Sequence, residues 1–142
     1  ATYLVLRFVE PALDKWLPYF RYFRTPYIHD ANLLMFDLFI GILLVAVSEE
    51  LVFRRLPFSL LEKTGVGKPA VVLVSSAIFT LAHITSGLGS LVNAFLYRIL
   101  LAIVFYDTGR LSACIVLHYI GDFLIFSLRA LESGVLGPAT SS

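Results

Sequence analysis

Cysteine occurs once in this chain, at Cys114, which excludes an intrachain disulfide framework and any zinc site built from several thiolates. Charge is scarce as well. Asp, Glu, Lys and Arg make up 15% of the 142 residues, and the formal net charge is +1. Such a balance gives no electrostatic preference for nucleic acid or for acidic substrates. No basic stripe interleaved with aromatics is present, nor a glycine-rich phosphate loop, an internal repeat or a low-complexity tract. Strict apolar–polar alternation, the mark of half-buried strands, is also missing. What the chain has in excess is apolar residues, 58% of the total with a mean hydropathy of +0.86. That exceeds the usual soluble share, so an integral, multi-pass membrane protein is expected, with the lipid bilayer as its surroundings.

Four long apolar segments follow one another: Ala31–Phe53, Pro69–Ile84, Leu88–Tyr106 and Leu111–Leu131. Each approaches the roughly 17–25 residues that cross a bilayer as a helix, the second being the shortest. Helices are indicated because a bilayer interior requires the backbone to pair internally. Pro57 is expected to end or kink the first helix, and Pro69 suits the first turn of the second. The expected fold is therefore all-α, a polytopic membrane bundle of about four helices. Residues 1–30 read as an N-terminal interfacial or connecting helix, 31–134 as the membrane-embedded core and 135–142 as a loose tail. The charges at Arg7, Glu10, Asp14 and Lys15 make residues 1–24 unlike a signal peptide. A chain opening on Ala1 reads as a processed protein or a segment of a longer one. Basic residues divide evenly between the two sides of the bundle, so the positive-inside rule assigns no orientation.

Ionisable groups within such segments are costly and are functional candidates by default. Glu49 and Glu50 end the run Leu33–Val47, Arg54 follows, and His83, Arg98, His118 and Asp122 lie in later segments. Counting the helical rise from the face that carries the Pro57–Lys68 and Asp107–Arg110 connections places these groups roughly 12–20 Å deep, in one slab. Glu50 and Arg54 stand four residues apart and pair favourably on one helix face. Glu49 is turned about 100° away. His118 and Asp122 share a face, with Cys114 one turn earlier.

Three spaced motifs result: Glu49-Glu50-Leu-Val-Phe-Arg54, Phe79-Thr-Leu-Ala-His83 and His118-Tyr-Ile-Gly-Asp122. In that order, on successive apolar helices, they resemble the CAAX protease and bacteriocin-processing (Abi) family, whose members include the Rce1 prenyl-protein endopeptidases. The run Tyr106-Asp-Thr-Gly-Arg-Leu111 is similar to the family's lead-in to the last motif. The resemblance implies a glutamate-dependent intramembrane endopeptidase, without cofactor or metal, in the plasma membrane of a prokaryote. Its substrate would be a hydrophobic or lipidated peptide. By the match, Glu49 activates water with the help of His83, His118 and Asp122 bind the oxyanion, and Glu50 and Arg54 are the supporting pair. Asp122 departs from the asparagine common in the prenyl-protease branch. Ionised, it repels an oxyanion; it serves either protonated or by orienting His118.

Plainer roles exist for each group. Glu49 and Glu50 suit the solvated end of a helix, and His83 or His118 alone suits a hydrogen-bonded core position. Arg55 reads as an interface anchor, Cys114 as packing, and Asp37 as solvated at the opposite interface. Phe79 is expected to shape the pocket. Arg98, with Asn93 and Tyr97 nearby in sequence, is expected to balance Glu49, Glu50 or Asp122, or to snorkel. Three other functions use the same residue types: a metal or haem protein, a non-catalytic membrane scaffold or regulator, and a proton or ion pathway. Against a metal stand the absence of an HExxH arrangement and the nearby arginines.

Overall fold

In this computed structural model the described residues are 30–132, together with Ala12, Lys15 and Ile28. The expected N-terminal helix and the tail beyond residue 132 therefore lie outside the described residues, apart from those few positions. Among the described residues every regular element is helical: α1 Ala31–Glu62, α2 Lys68–Ala82, α3 Leu88–Thr108 and α4 Leu111–Glu132. Three of them, α1, α3 and α4, are long and apolar enough to cross a membrane; α2 is apolar but has only 15 residues. At 1.5 Å per residue α2 rises about 22 Å, short of a hydrocarbon core of about 30 Å. The second expected crossing is thus a shorter helix whose end lies inside the bundle. Exposed large apolar side chains outnumber buried ones, with Leu33, Phe36, Leu44, Leu96, Leu100, Leu124 and Leu131 among them. Such a surface suits lipid rather than water.

The helix ends follow local chemistry. Asp30 caps α1, its Oδ1 accepting the Leu33 N–H at 2.8 Å. Pro69 occupies the first turn of α2, where its missing N–H costs nothing. Gly109 closes α3 in the left-handed region at φ 64°, where L side chains are strained.

At Pro57, where an end or a kink is expected, α1 does not end but runs on to Glu62. Two wide π turns interrupt it, Asp37–Gly41 and Leu51–Arg55, in which the N–H groups of Ile42 and Leu56 reach back five residues to Asp37 and Leu51. The second turn lies directly before the proline and absorbs its ring. Pro57 has no N–H for the carbonyl of Phe53, four residues earlier. That carbonyl instead accepts from the Ser75 hydroxyl on α2, at 3.1 Å.

Two apolar clusters bracket the middle of the bundle. Phe58, Val71, Ala102, Phe105 and Cys114 pack together at the end carrying the α1–α2 and α3–α4 connections. Leu34, Leu38, Ile42 and Ala130 pack at the other end. Along α1, α3 and α4, Glu49, Glu50, Arg54, Arg98, His118 and Asp122 fall in the layer between them.

Substituting Ser75→Ala orphans the Phe53 carbonyl and should cost about 1–3 kcal/mol, read as a lower Tm in detergent. In a Pro57→Ala background, which restores a backbone donor for that carbonyl, the loss should shrink. Equal losses in both backgrounds would show that the proline does not create the vacancy Ser75 fills.

Candidate active site

Glu49 and Glu50 are adjacent, and the rotation per residue sends them to different surroundings. Glu50 is fully buried and accepts from Arg54 Nε at 3.0 Å, one helical turn along α1. It also accepts from Arg98 Nη1, which arrives from α3. Arg54 in turn donates from Nη1 to the backbone carbonyl of Arg98 at 3.2 Å, so the side chain of one arginine holds the main chain of the other. Arg54, Arg98 and His118 are each at most 4% exposed.

Glu49 lies on the open side, with its side chain 20% exposed, beside His83 at 36%. Its Oε1 is 3.6 Å from His83 Nε2, and its Oε2 accepts from Arg98 Nη2 at 2.8 Å. His118 stands edge to edge with the Arg98 guanidinium. Nε2 lies 2.9 Å from Nη2, and Nδ1 lies 3.4 Å from Nη1. Each glutamate closes one side of that pair. Glu49 Oε2 is 3.5 Å from His118 Nε2, and Glu50 Oε1 is 3.2 Å from His118 Nδ1. Asp122, 28% exposed, brings Oδ2 to 3.2 Å from His118 Nε2 on the same helix face.

Phe79 organises Arg98 and His83. Arg98 Cζ sits 3.3 Å from its ring centre, and the His83 ring stacks at 4.3 Å with 25° between planes. Two groups so close to one ring centre must lie on opposite faces, so Phe79 is sandwiched. Phe53 meets it edge-on at 5.3 Å. The ring is 4% exposed and separates the guanidinium from the imidazole, while the Glu49 carboxylate touches both around its edge.

The structure thus brings together Glu49, Glu50, Arg54, Phe79, His83, Arg98, His118 and Asp122 from all four helices. Arg98 pairs with both glutamates, a more central place than its sequence position alone conveys. Cys114 is fully buried and directs its thiol to the Leu101 carbonyl at 3.4 Å, a packing contact. Tyr97 and Gly121 matter more than their residue types suggested. The Tyr97 hydroxyl donates to the Leu117 carbonyl at 2.6 Å, one residue before His118. A Cβ at Gly121 would lie 2.6 Å from that hydroxyl, so only glycine admits the contact. The available signal was the glycine within the last motif. Among the described residues no group of three or more His, Cys, Asp or Glu side chains is arranged to hold a metal ion.

Fold and site together define an all-α integral membrane protein with a half-open carboxylate–histidine cluster. The Rce1-like family, described as type II CAAX prenyl endopeptidases, matches residues 31–124, and the chain belongs to it. That membership makes it a protease of the membrane, of the CAAX endopeptidase kind in general terms. No curated protein and no solved structure matches the chain.

Two substitutions probe the two layers of the cluster. Glu50→Gln leaves two buried arginines short of a counter-charge and should cost about 3–5 kcal/mol of stability. Glu49→Gln, on the open side, should cost clearly less in the same detergent unfolding assay. Gly121→Ala drives a methyl into Tyr97 and should cost about 1–3 kcal/mol. Adding Tyr97→Phe should return part of that, because the closest atom is gone; no recovery would mean that the glycine serves another contact.

Proposed function

We propose that this chain is an endopeptidase in which Glu49 and His83 activate a water for attack on a peptide carbonyl. The observation that carries the reading is the pairing of Glu49 Oε1 and His83 Nε2, 3.6 Å apart on the exposed side of an otherwise closed cluster. A water about 2.8 Å from both atoms completes a triangle on that base. Glu49 then takes the proton as general base while His83 holds the water. His118 faces the carbonyl oxygen as it becomes negative. The 3.2 Å approach of Asp122 Oδ2 to His118 Nε2 supports an orienting role for Asp122, since an ionised carboxylate has only lone pairs to offer an anion. Glu50 and Arg54 support the site from beneath.

The lipid-facing surface and the family description favour a hydrophobic or lipidated peptide substrate, such as a prenylated C-terminal tail or a peptide precursor. A prokaryotic plasma membrane as its location rests on the bacteriocin-processing resemblance alone. A non-catalytic scaffold is the second reading. It draws on one observation, that the Arg98 guanidinium already holds Glu49 Oε2.

Cleavage of a C-terminally prenylated fluorogenic peptide by the detergent-purified protein separates the two. Wild type should cleave, and Glu49→Gln and His83→Ala should each lower kcat by about 10²–10⁴-fold. A strong chelator should leave the rate unchanged. Cleavage that survives Glu49→Gln would overturn the assignment of the base, and chelator-sensitive cleavage would point to a metal.

A further inference from the structure

Attack of water on a peptide carbonyl forms a carbon–oxygen bond and pushes the π pair onto the carbonyl oxygen, while Glu49 receives the proton. The oxygen then carries a full negative charge inside a poorly solvated bundle, where a donor is worth far more than in water. Asp122, ionised, repels it. His118 is flanked by carboxylates at both ring nitrogens, Glu50 at Nδ1 and Asp122 and Glu49 at Nε2. The cluster nevertheless holds a permanent cation at this place. Arg98 Nη2 lies between the proposed base and the imidazole, 2.8 Å from Glu49 Oε2 and 2.9 Å from His118 Nε2.

We infer that Arg98 is a catalytic residue of this reaction, its Nη2 edge supplying the charge-assisted hydrogen bond that stabilises the oxyanion beside His118. The inference rests on the endopeptidase reading above. Nη2 has two protons, one on Glu49 Oε2 and the other directed at His118 Nε2. When Glu49 takes the proton of the water it loses its charge and its hold on Nη2, and the freed N–H turns to the oxygen that becomes negative beside it. The guanidinium is fixed in advance of the reaction. Glu50 grips Nη1, the Phe79 ring supports its face at 3.3 Å from Cζ, and Arg54 Nη1 binds the Arg98 carbonyl at 3.2 Å. Balancing Glu50 needs only the Nη1 side of the fork. The Nη2 side extends past it to the half-open layer where Glu49 and His83 lie. As the intermediate collapses, the oxyanion pair re-forms the carbonyl and the carbon–nitrogen bond breaks. The leaving nitrogen takes the proton from Glu49, and Arg98 keeps all of its own protons.

Two non-cleavable ligands of one peptide sequence test this on the full chain in detergent. One carries a phosphinate, tetrahedral and anionic, at the scissile position; the other carries a neutral ketomethylene group. Wild type should bind the phosphinate about 100-fold or more tighter than the ketomethylene peptide, the scale on which oxyanion donors act. Arg98→Met should lose most of that preference while keeping its affinity for the neutral ligand. Arg98→Lys keeps the charge but not the planar fork, and should retain only part of the preference. It carries the test alone if Arg98→Met fails to fold in a thermal melt. An undiminished phosphinate preference in either folded variant would overturn the inference and leave Arg98 as a counter-charge. Wild type that binds neither ligand and cleaves nothing would overturn the endopeptidase reading beneath it, a distinct result.

Discussion

Burying Glu50 constrains everything else in this bundle. A carboxylate with no exposed surface is tolerable only among cations, and the desolvation of each ion amounts to several kcal/mol before pairing repays it. Arg54 meets it from the same helix and Arg98 from α3, while His118 of α4 closes the other side. Three helices are therefore fixed relative to one another by a single buried charge. The contact between Arg54 and the Arg98 carbonyl extends this to the backbone, so a shift of α3 along α1 breaks several bonds at once. The apolar clusters above and below close the layer off, and the one side left open is where Glu49, His83 and Asp122 stand.

Two adjacent glutamates thus have unlike duties. Glu50 is spent on architecture, with its oxygens on two arginines. Glu49 has one oxygen on Arg98 and another 3.6 Å from His83, on the exposed side of the cluster. The stability of the site and its chemistry are divided between neighbours in sequence, and the division follows from the rotation per residue of a helix. Phe79 adds a similar economy: one ring keeps the guanidinium and the His83 imidazole apart while orienting both.

Much of this was legible beforehand because it depends on spacing. The Glu50–Arg54 and His118–Asp122 approaches are single-turn relations, and counting residues from the shared face placed the charged groups at one depth. The apolar runs located α2, α3 and α4 to within two residues, whereas α1 extends nine residues past its run and α2 proved too short to cross unaided. What spacing does not encode is which neighbour a long side chain chooses. Arg98 had several candidate partners, and its grip on both glutamates is a property of the packed helices. The local rule at Pro57 offered an end or a kink, and the end does not occur because a wide turn and a serine from another helix accommodate the ring and the freed carbonyl. Tyr97 is silent in sequence, and the glycine at 121 signals a close approach without saying to what, since the contact depends on the α3–α4 distance.

The π turns of α1 have a further consequence for how this chain can tolerate change in length. Such a turn acts as a single extra residue held within a helix, so the segments on its two sides keep the angular phase of a regular helix one residue shorter. The turn at Leu51–Arg55 stands between Glu50, committed to the charged layer, and Phe58, committed to the apolar cluster at the connection end. Loss of one residue from that stretch would therefore restore a regular helix with both side chains still in phase, whereas gain of one more would swing one of them about 100° from its partners. Either a carboxylate leaves its arginines or a phenyl ring leaves its cluster. The helix is thus far more exacting about residues added between the two layers than about which apolar residues stand there, and an insertion there is graver than most replacements.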